Sequence, residues 1–198
     1  MNVHISEVDK MHDPKSSLAL MLANDSIISN TVLGQSYSPF AEELAGLIVN
    51  GEVTNATGHD IIAGNNALVP INSKIEVKST ACLMNKCRRI PFPKSKDSSD
   101  YLMIVYPNQQ GTQTKVAIIP TKVVLSDFIF AFGDHTKPAE RQIWWRTELD
   151  YVSNYTNHTS DSHGWRSTNN YHIVTRHLID NDIVEDKVKL IYSRLNMV

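Results

Sequence analysis

The segment GHDIIAGNNALVPINSKIEVKST, from Gly58 to Thr80, decides how this chain is expected to fold. It reads as a strand, a Gly-Asn turn and a second strand, with Gly58–Ala63 and Ser73–Thr80 as the extended pieces. IEVKS alternates strictly, so Glu76 and Lys78 share one face while Ile75 and Val77 share the other. Asp60 lies near the start of the first strand. If the strands pair, two carboxylates on neighbouring strands form a site for a hard divalent cation such as Mg²⁺, which takes one or two carboxylates and keeps waters and phosphate oxygens as its other ligands. At roughly 3.3 Å of rise per residue, Lys78 lies about 7 Å beyond Glu76 on the same face. An ammonium there can orient or help deprotonate a water aimed at phosphorus, or offset growing negative charge.

Upstream, Ser38-Pro39 reads as a helix start, with serine at the cap and proline in the first turn. The helix runs through FAEELAGLIVN and stops at Gly51, with Phe40, Leu44, Leu47 and Ile48 on one stripe. Glu43 falls at the edge of that stripe and Glu42 nearer the solvent side, so Glu43 joins Asp60 and Glu76 as a candidate metal ligand. Residues 15–33 read as helical, broken near Asn24-Asp25. Downstream, RRIPFPKSKDSSD reads as a loop because of its two prolines and many polar residues. YLMIVYP and KVAIIP read as strands joined by NQQGTQT. TKVVLSDFIFAF fits a helix capped by Thr121 or a further strand. Residues 133–170 read as irregular and include the aromatic-basic patch QIWWR. YHIVTRHLI reads as a strand and DIVEDKVKLIYSRL as a terminal helix or strand. The order of elements predicts an α/β or α+β core.

A chain of 198 residues fits one domain over 1–198, with no internal repeat. Its longest apolar runs are too short to span a membrane. MNVHISEVDKMHD lacks the basic start and apolar stretch of a signal peptide, so a cytoplasmic protein is expected. Cys82 and Cys87 have no further ligands at zinc-site spacing and read as free thiols. Residues 1–60 carry eight acids against Lys10 and Lys15, whereas residues 74–96 carry seven bases against Glu76 alone. A basic block beside an acidic cluster suits a polyanion held next to a metal. Lys86, Arg88, Arg89, Lys94 and Lys96 are thus candidate phosphate contacts. Asn157, His163, Arg166 and Asn169, in the polar run Asn154–Asn170, carry side chains of the kind that read base edges in the major groove.

Gly58-x-Asp60, a turn and then Glu76-Val77-Lys78 resemble the signature of the PD-(D/E)XK nuclease superfamily, which includes most type II restriction endonucleases. The resemblance covers roughly residues 38–130, including a glutamate-bearing helix before the core and two strands after it. The proline that often precedes the first acid is replaced by His59. Pro91 and Pro93 interrupt the region where some members carry a long helix, which fits a restriction enzyme better than a resolvase. The resemblance implies a restriction-endonuclease-like mixed β-sheet flanked by helices, a Mg²⁺ site, and catalytic roles for Asp60, Glu76 and Lys78. On that footing the chain is expected to be a small type II restriction endonuclease that cuts double-stranded DNA as a homodimer, with residues 131–198 supplying recognition and dimerisation elements. Two alternatives stand beside it: a structure-selective DNA nuclease, and a non-catalytic nucleic-acid- or protein-binding module in which the acids and Lys78 align by chance.

Overall fold

The computed structural model describes residues 30–54, 58–80, 87–108, 113–132, 141–146 and 164–195. Helix α1 (Asn30–Ile48) leads into strands β1 (Glu52–Val53), β2 (Ile61–Ile62), β3 (Lys74–Ser79) and β4 (Cys87–Pro91). A 3₁₀ turn (Lys94–Lys96) precedes β5 (Tyr101–Pro107) and β6 (Thr114–Pro120). Helix α2 (Thr121–Asp127), strands β7 (Phe130–Phe132) and β8 (Arg141–Arg146), and helices α3 (Gly164–Arg176) and α4 (Asn181–Leu195) complete the order. The fold is α+β, a mixed sheet with helices against it, as the sequence led us to expect.

Five strands form the main sheet in the order β1-β2-β3-β5-β6, and β4-β8-β7 form a second, smaller sheet. β3 pairs antiparallel with β2 and parallel with β5, whereas β5 and β6 are antiparallel. A parallel pair needs a crossover. Here the crossover includes β4 and the 3₁₀ turn, so the chain leaves the main sheet, contributes a strand to the small one and returns.

Strand alternation divides the apolar residues between two cores. Ile75 and Val77, Met103 and Val105, and Val116 and Ile118 pack with Leu44, Ala45 and Ile48 of α1 and Val184, Val188 and Ile191 of α4. Leu102, Ile104, Ala117 and Ile119, on the opposite face, pack with Ile90 and Phe92, Ile143 and Trp145, and Ile173 and Val174 of α3. Both faces of the main sheet are therefore covered. The face bearing Glu76 lies against the second core.

Several local expectations give way to tertiary packing. Helix α1 starts before Ser38 and carries Pro39 inside it; the Ser38 hydroxyl donates to Glu42 Oε1 at 3.2 Å instead of capping the backbone. The helix stops as foreseen. Asn50 takes a positive φ of 47°, and Gly51 N–H reaches back to the Gly46 carbonyl at 2.8 Å, as in a Schellman-type end. β2 is shorter than expected, and the turn is a longer loop organised by Asn66. That side chain donates to the Val49 and Gly64 carbonyls at 3.0 and 2.9 Å and accepts from Leu68 and Val69 N–H. Thr121 is the first residue of α2, not its cap, and the same stretch continues into β7.

RRIP and QIWWR, read as loop and irregular, are the paired strands β4 and β8. YHIVTR, read as a strand, lies in α3. Its β-branched residues favour a strand only in isolation. Ile173 and Val174 are buried in the second core, and contacts of that kind override weak local propensity. Asn170 adds to this: its Oδ1 accepts from Ile129 N–H, and its Nδ2 donates to the Ile129 and Trp144 carbonyls. Among the described residues, no helix is long and apolar enough to cross a membrane. Of the helix expected over 15–33, residues 30–33 lie in α1 and the rest lies outside the described residues.

Candidate active site

Asp60 stands where β2 parts from β3. Its N–H donates to the Ile75 carbonyl at 2.9 Å, and its Oδ2 accepts from Val77 N–H at 2.8 Å. The carboxylate thus takes over the backbone ladder one step past the last paired residue. That bond fixes it against the strand bearing Glu76 and Lys78 without using Oδ1. Gly58 begins this approach with φ at +97°, where a side chain would be strained. Its Cα lies against the segment after the 3₁₀ turn, since a Cβ there would come to 3.0 Å from Ser98 Oγ.

Glu76 is completely buried. An isolated carboxylate could not remain charged there without compensation. Two ammonium groups supply it. Lys78 Nζ donates to Glu76 Oε1, and Lys96 Nζ, from the 3₁₀ turn, approaches Oε2 to 2.7 Å. The two lysine side chains remain 21% and 19% exposed, so the cluster spans the boundary between core and solvent. The Lys96 contact is an ion pair and not a well-directed hydrogen bond, which leaves buried Oε2 without a hydrogen-bond donor among the described residues.

A further acid lies close by. Burial raises the Glu42 carboxyl above its ordinary 4.5, and the negative charges of Asp60 and Glu76 push it the same way, against the Ser38 hydrogen bond and the Lys78 charge. Glu42, not Glu43, therefore belongs to this electrostatic cluster. Glu43 turns towards α4 and pairs with Arg194 at 3.5 Å. The buried stripe of α1 includes Ala41, Ala45 and Val49, so it is rotated towards Glu42 relative to the stripe drawn through Leu47.

The Glu42 shift has a stability consequence. A carboxyl whose folded pKa is raised favours the folded state most below its unfolded value, and that contribution is lost as pH rises through the folded value. Glu42→Gln is thus expected to raise the urea midpoint at pH 7 in EDTA, with no gain at pH 4. The effect should be small because the group is partly exposed to solvent. A larger gain at pH 4 than at pH 7 would contradict the assignment.

Asp60, Glu76 and Glu42 offer the oxygen donors that a hard cation prefers. A divalent ion here would share the Glu76 oxygens with Lys78 and Lys96, each of which already pairs with one of them. Among the described residues, no three His, Cys, Asp or Glu side chains close around one point.

The expected DNA contacts divide differently. Arg88 is buried, donating to the Thr80 carbonyl at 3.1 Å and the Pro107 carbonyl at 2.6 Å. It ties the ends of β3 and β5 together and is withdrawn from any phosphate, which corrects the expectation for that residue. Lys96 is held at Glu76. Arg89 is exposed, its guanidinium 5.4 Å from the Trp144 ring centroid, and Lys94 is exposed on the 3₁₀ turn. Asn169 donates to the Asp127 carbonyl at 3.1 Å. Lys86, Asn157 and His163 lie outside the described residues, as does the side chain of Arg166. Two members of the cluster were placed differently from sequence: Lys96 as a phosphate contact, and Glu42 as the less favoured alternative to Glu43. Compared with protein-family models and with curated proteins, the chain finds no match.

Proposed function

We propose that this chain is a Mg²⁺-dependent endodeoxyribonuclease of the PD-(D/E)XK kind, a type II restriction endonuclease that hydrolyses phosphodiester bonds at a short specific sequence in double-stranded DNA. The observation that carries this reading is the placing of Asp60 on the Val77 backbone, directly beside Glu76 and Lys78 on the adjoining strand. Asp60 and Glu76 would hold the ion, with Glu42 beside them. When bound, Mg²⁺ supplies Lewis-acid polarisation of the phosphoryl group.

The chain's own residues do the rest. The paired strands hold both carboxylates in a fixed relation, so little reorganisation is needed at the moment of reaction. Lys78 presents an ammonium beside Glu76, where it orients a water and offsets charge growing on the phosphoryl oxygens. The water oxygen forms the new bond to phosphorus, the bond from phosphorus to the departing sugar oxygen breaks, the attacking water's proton passes to solvent, and the departing oxygen takes a proton from solvent. Of the expected phosphate contacts, Arg89 and Lys94 are described and exposed, and so remain open to the DNA backbone. A homodimer would match its twofold axis to that of a palindromic site.

One observation favours a second reading, a binding module without catalysis. Two lysines already neutralise Glu76, and a buried ion cluster can serve the fold alone. Incubation of the protein with plasmid DNA in Mg²⁺ and in EDTA separates the readings. Discrete fragments in Mg²⁺ only are expected. A smear would move the reading to a nonspecific or structure-selective nuclease, to be tried next on branched DNA. Absence of cutting under any divalent cation would leave the binding module. Lys78→Ala is expected to slow cutting about a thousandfold while DNA binding persists; cutting at the original rate would remove Lys78 from the chemistry.

A further inference from the structure

The strand alternation of β3 explains one partner of Glu76, since Lys78 lies two residues on and on the same face. It does not explain Lys96, which comes from the crossover between β3 and β5. Resting on the nuclease reading, we propose that Lys96 is a positioning residue of the reaction centre, delivered by a braced 3₁₀ turn to hold Glu76 Oε2 in place.

The turn is braced from several sides. The Lys96 carbonyl accepts from both the N–H and the hydroxyl of Ser99, at 3.1 and 2.8 Å. Ser99 is buried and its Oγ lies 3.2 Å from Thr121 Oγ1, at the start of α2. The next residue, Asp100, binds the β3 backbone in both directions: its N–H donates to the Lys74 carbonyl, and its Oδ2 accepts from Lys74 N–H. Asp97 pairs with Arg141 of β8. That guanidinium lies 5.4 Å from the Phe92 ring and 4.9 Å from the Phe130 ring and also donates to the Phe92 carbonyl. The main sheet, α2 and the small sheet therefore all fix the segment that carries Lys96.

A long, flexible lysine loses considerable rotamer freedom when held in one place. A solvated lysine would need no such frame. With Lys78 on Oε1 and Lys96 on Oε2, the carboxylate is clamped at both oxygens, and its plane is set before any ligand arrives. Groups of this kind, which orient a ligating or reacting carboxylate without touching substrate, typically change activity 10- to 100-fold when removed.

The test compares Lys96→Ala, Lys96→Arg and the charge-matched surface control Lys122→Ala. With wild type cutting in Mg²⁺, Lys96→Ala is expected to lower the rate at saturating DNA roughly 10- to 100-fold with little change in KM. Lys96→Arg should recover most of that loss, and Lys122→Ala should leave the rate unchanged. Asp97→Asn, which keeps Lys96 but frees its turn, should slow cutting less than Lys96→Ala; it also serves if Lys96→Ala does not fold. Independently of activity, urea midpoints in EDTA for Lys96→Met, Glu76→Gln and the double variant should be non-additive, because both single changes break one pair. A wild-type rate in Lys96→Ala, a loss confined to KM, or additive midpoints each overturn the positioning role while leaving the nuclease reading intact. Failure of the wild type to cut under any divalent cation overturns both.

Discussion

Glu76→Gln is expected to lower stability by about 3 kcal/mol and to remove metal-dependent cutting. The amide preserves shape but cannot balance two ammonium groups. Breaking a buried ion pair by removing one partner leaves uncompensated charge and costs on the order of 3–5 kcal/mol. The low end applies because Lys78 and Lys96 are each about a fifth exposed and can recover some hydration. Urea denaturation in EDTA measures this directly; an unchanged midpoint would show that Glu76 is not the counter-charge of the two lysines. On the proposed nuclease reading, cutting assayed at a temperature where the variant is folded should fall at least about a thousandfold, since the change would remove a proposed ligand oxygen and the partner of Lys78 together. A folded Glu76→Gln protein that still cuts at the original rate would remove the carboxylate from the mechanism.

Gly64→Ala is the second large effect. A Cβ built on Gly64 would lie 1.8 Å from the Asn50 carbonyl oxygen and 2.9 Å from its carbon. Both atoms are backbone and belong to the end of α1, so relief requires the helix terminus to move from β2. The junction also carries the Asn66 bonds to Val49 and Gly64. Overpacking against fixed backbone normally costs 1–3 kcal/mol and occasionally more, and about 4 kcal/mol is expected here. Because α1 carries Glu42, the displacement should reach the acid cluster as well. Gly46→Ala is the internal comparison: its Cβ would meet ordinary contacts at 3.4 and 3.5 Å, and alanine favours a helix interior. A Gly64→Ala protein as stable as Gly46→Ala would contradict the close approach.

The core of the fold was legible where periodicity was strong and both sides of a segment agreed with it. The alternation Ile75, Glu76, Val77, Lys78 placed β3 and its two faces correctly, and the apolar runs Tyr101–Pro107 and Thr114–Pro120 are the strands β5 and β6. The second sheet was hidden because its inward residues look like surface residues. Arg141 and Arg88 are buried, the first between two phenylalanine rings with Asp97 as counter-ion and the second on backbone carbonyls. A charge pattern alone cannot distinguish these from solvated arginines. Helix α3 was hidden by β-branched residues whose burial, not their propensity, sets the conformation. In the site, Asp60 beside Glu76 followed from strand pairing. Glu42 was missed because Ala41 and Ala45 carry little hydrophobic weight yet are fully buried, which turns the helix. Lys96 read as a phosphate contact within a basic block, since only the return of the crossover to β5 brings it to Glu76.

The outer edge of β6 bears on how copies of this chain could meet. Ile118 N–H donates to the His177 carbonyl, Ile179 N–H donates to the Val116 carbonyl, and Ala117 and Leu178 form a bridge. The link between α3 and α4 thus occupies the hydrogen-bonding groups that an incoming strand would need. At the far side the sheet ends in β1, two exposed residues long, too short to template a stable pairing. Growth of the main sheet by strand addition is blunted at both of its margins. A continuous ten-stranded sheet built by joining two copies of the main sheet edge to edge is thereby disfavoured.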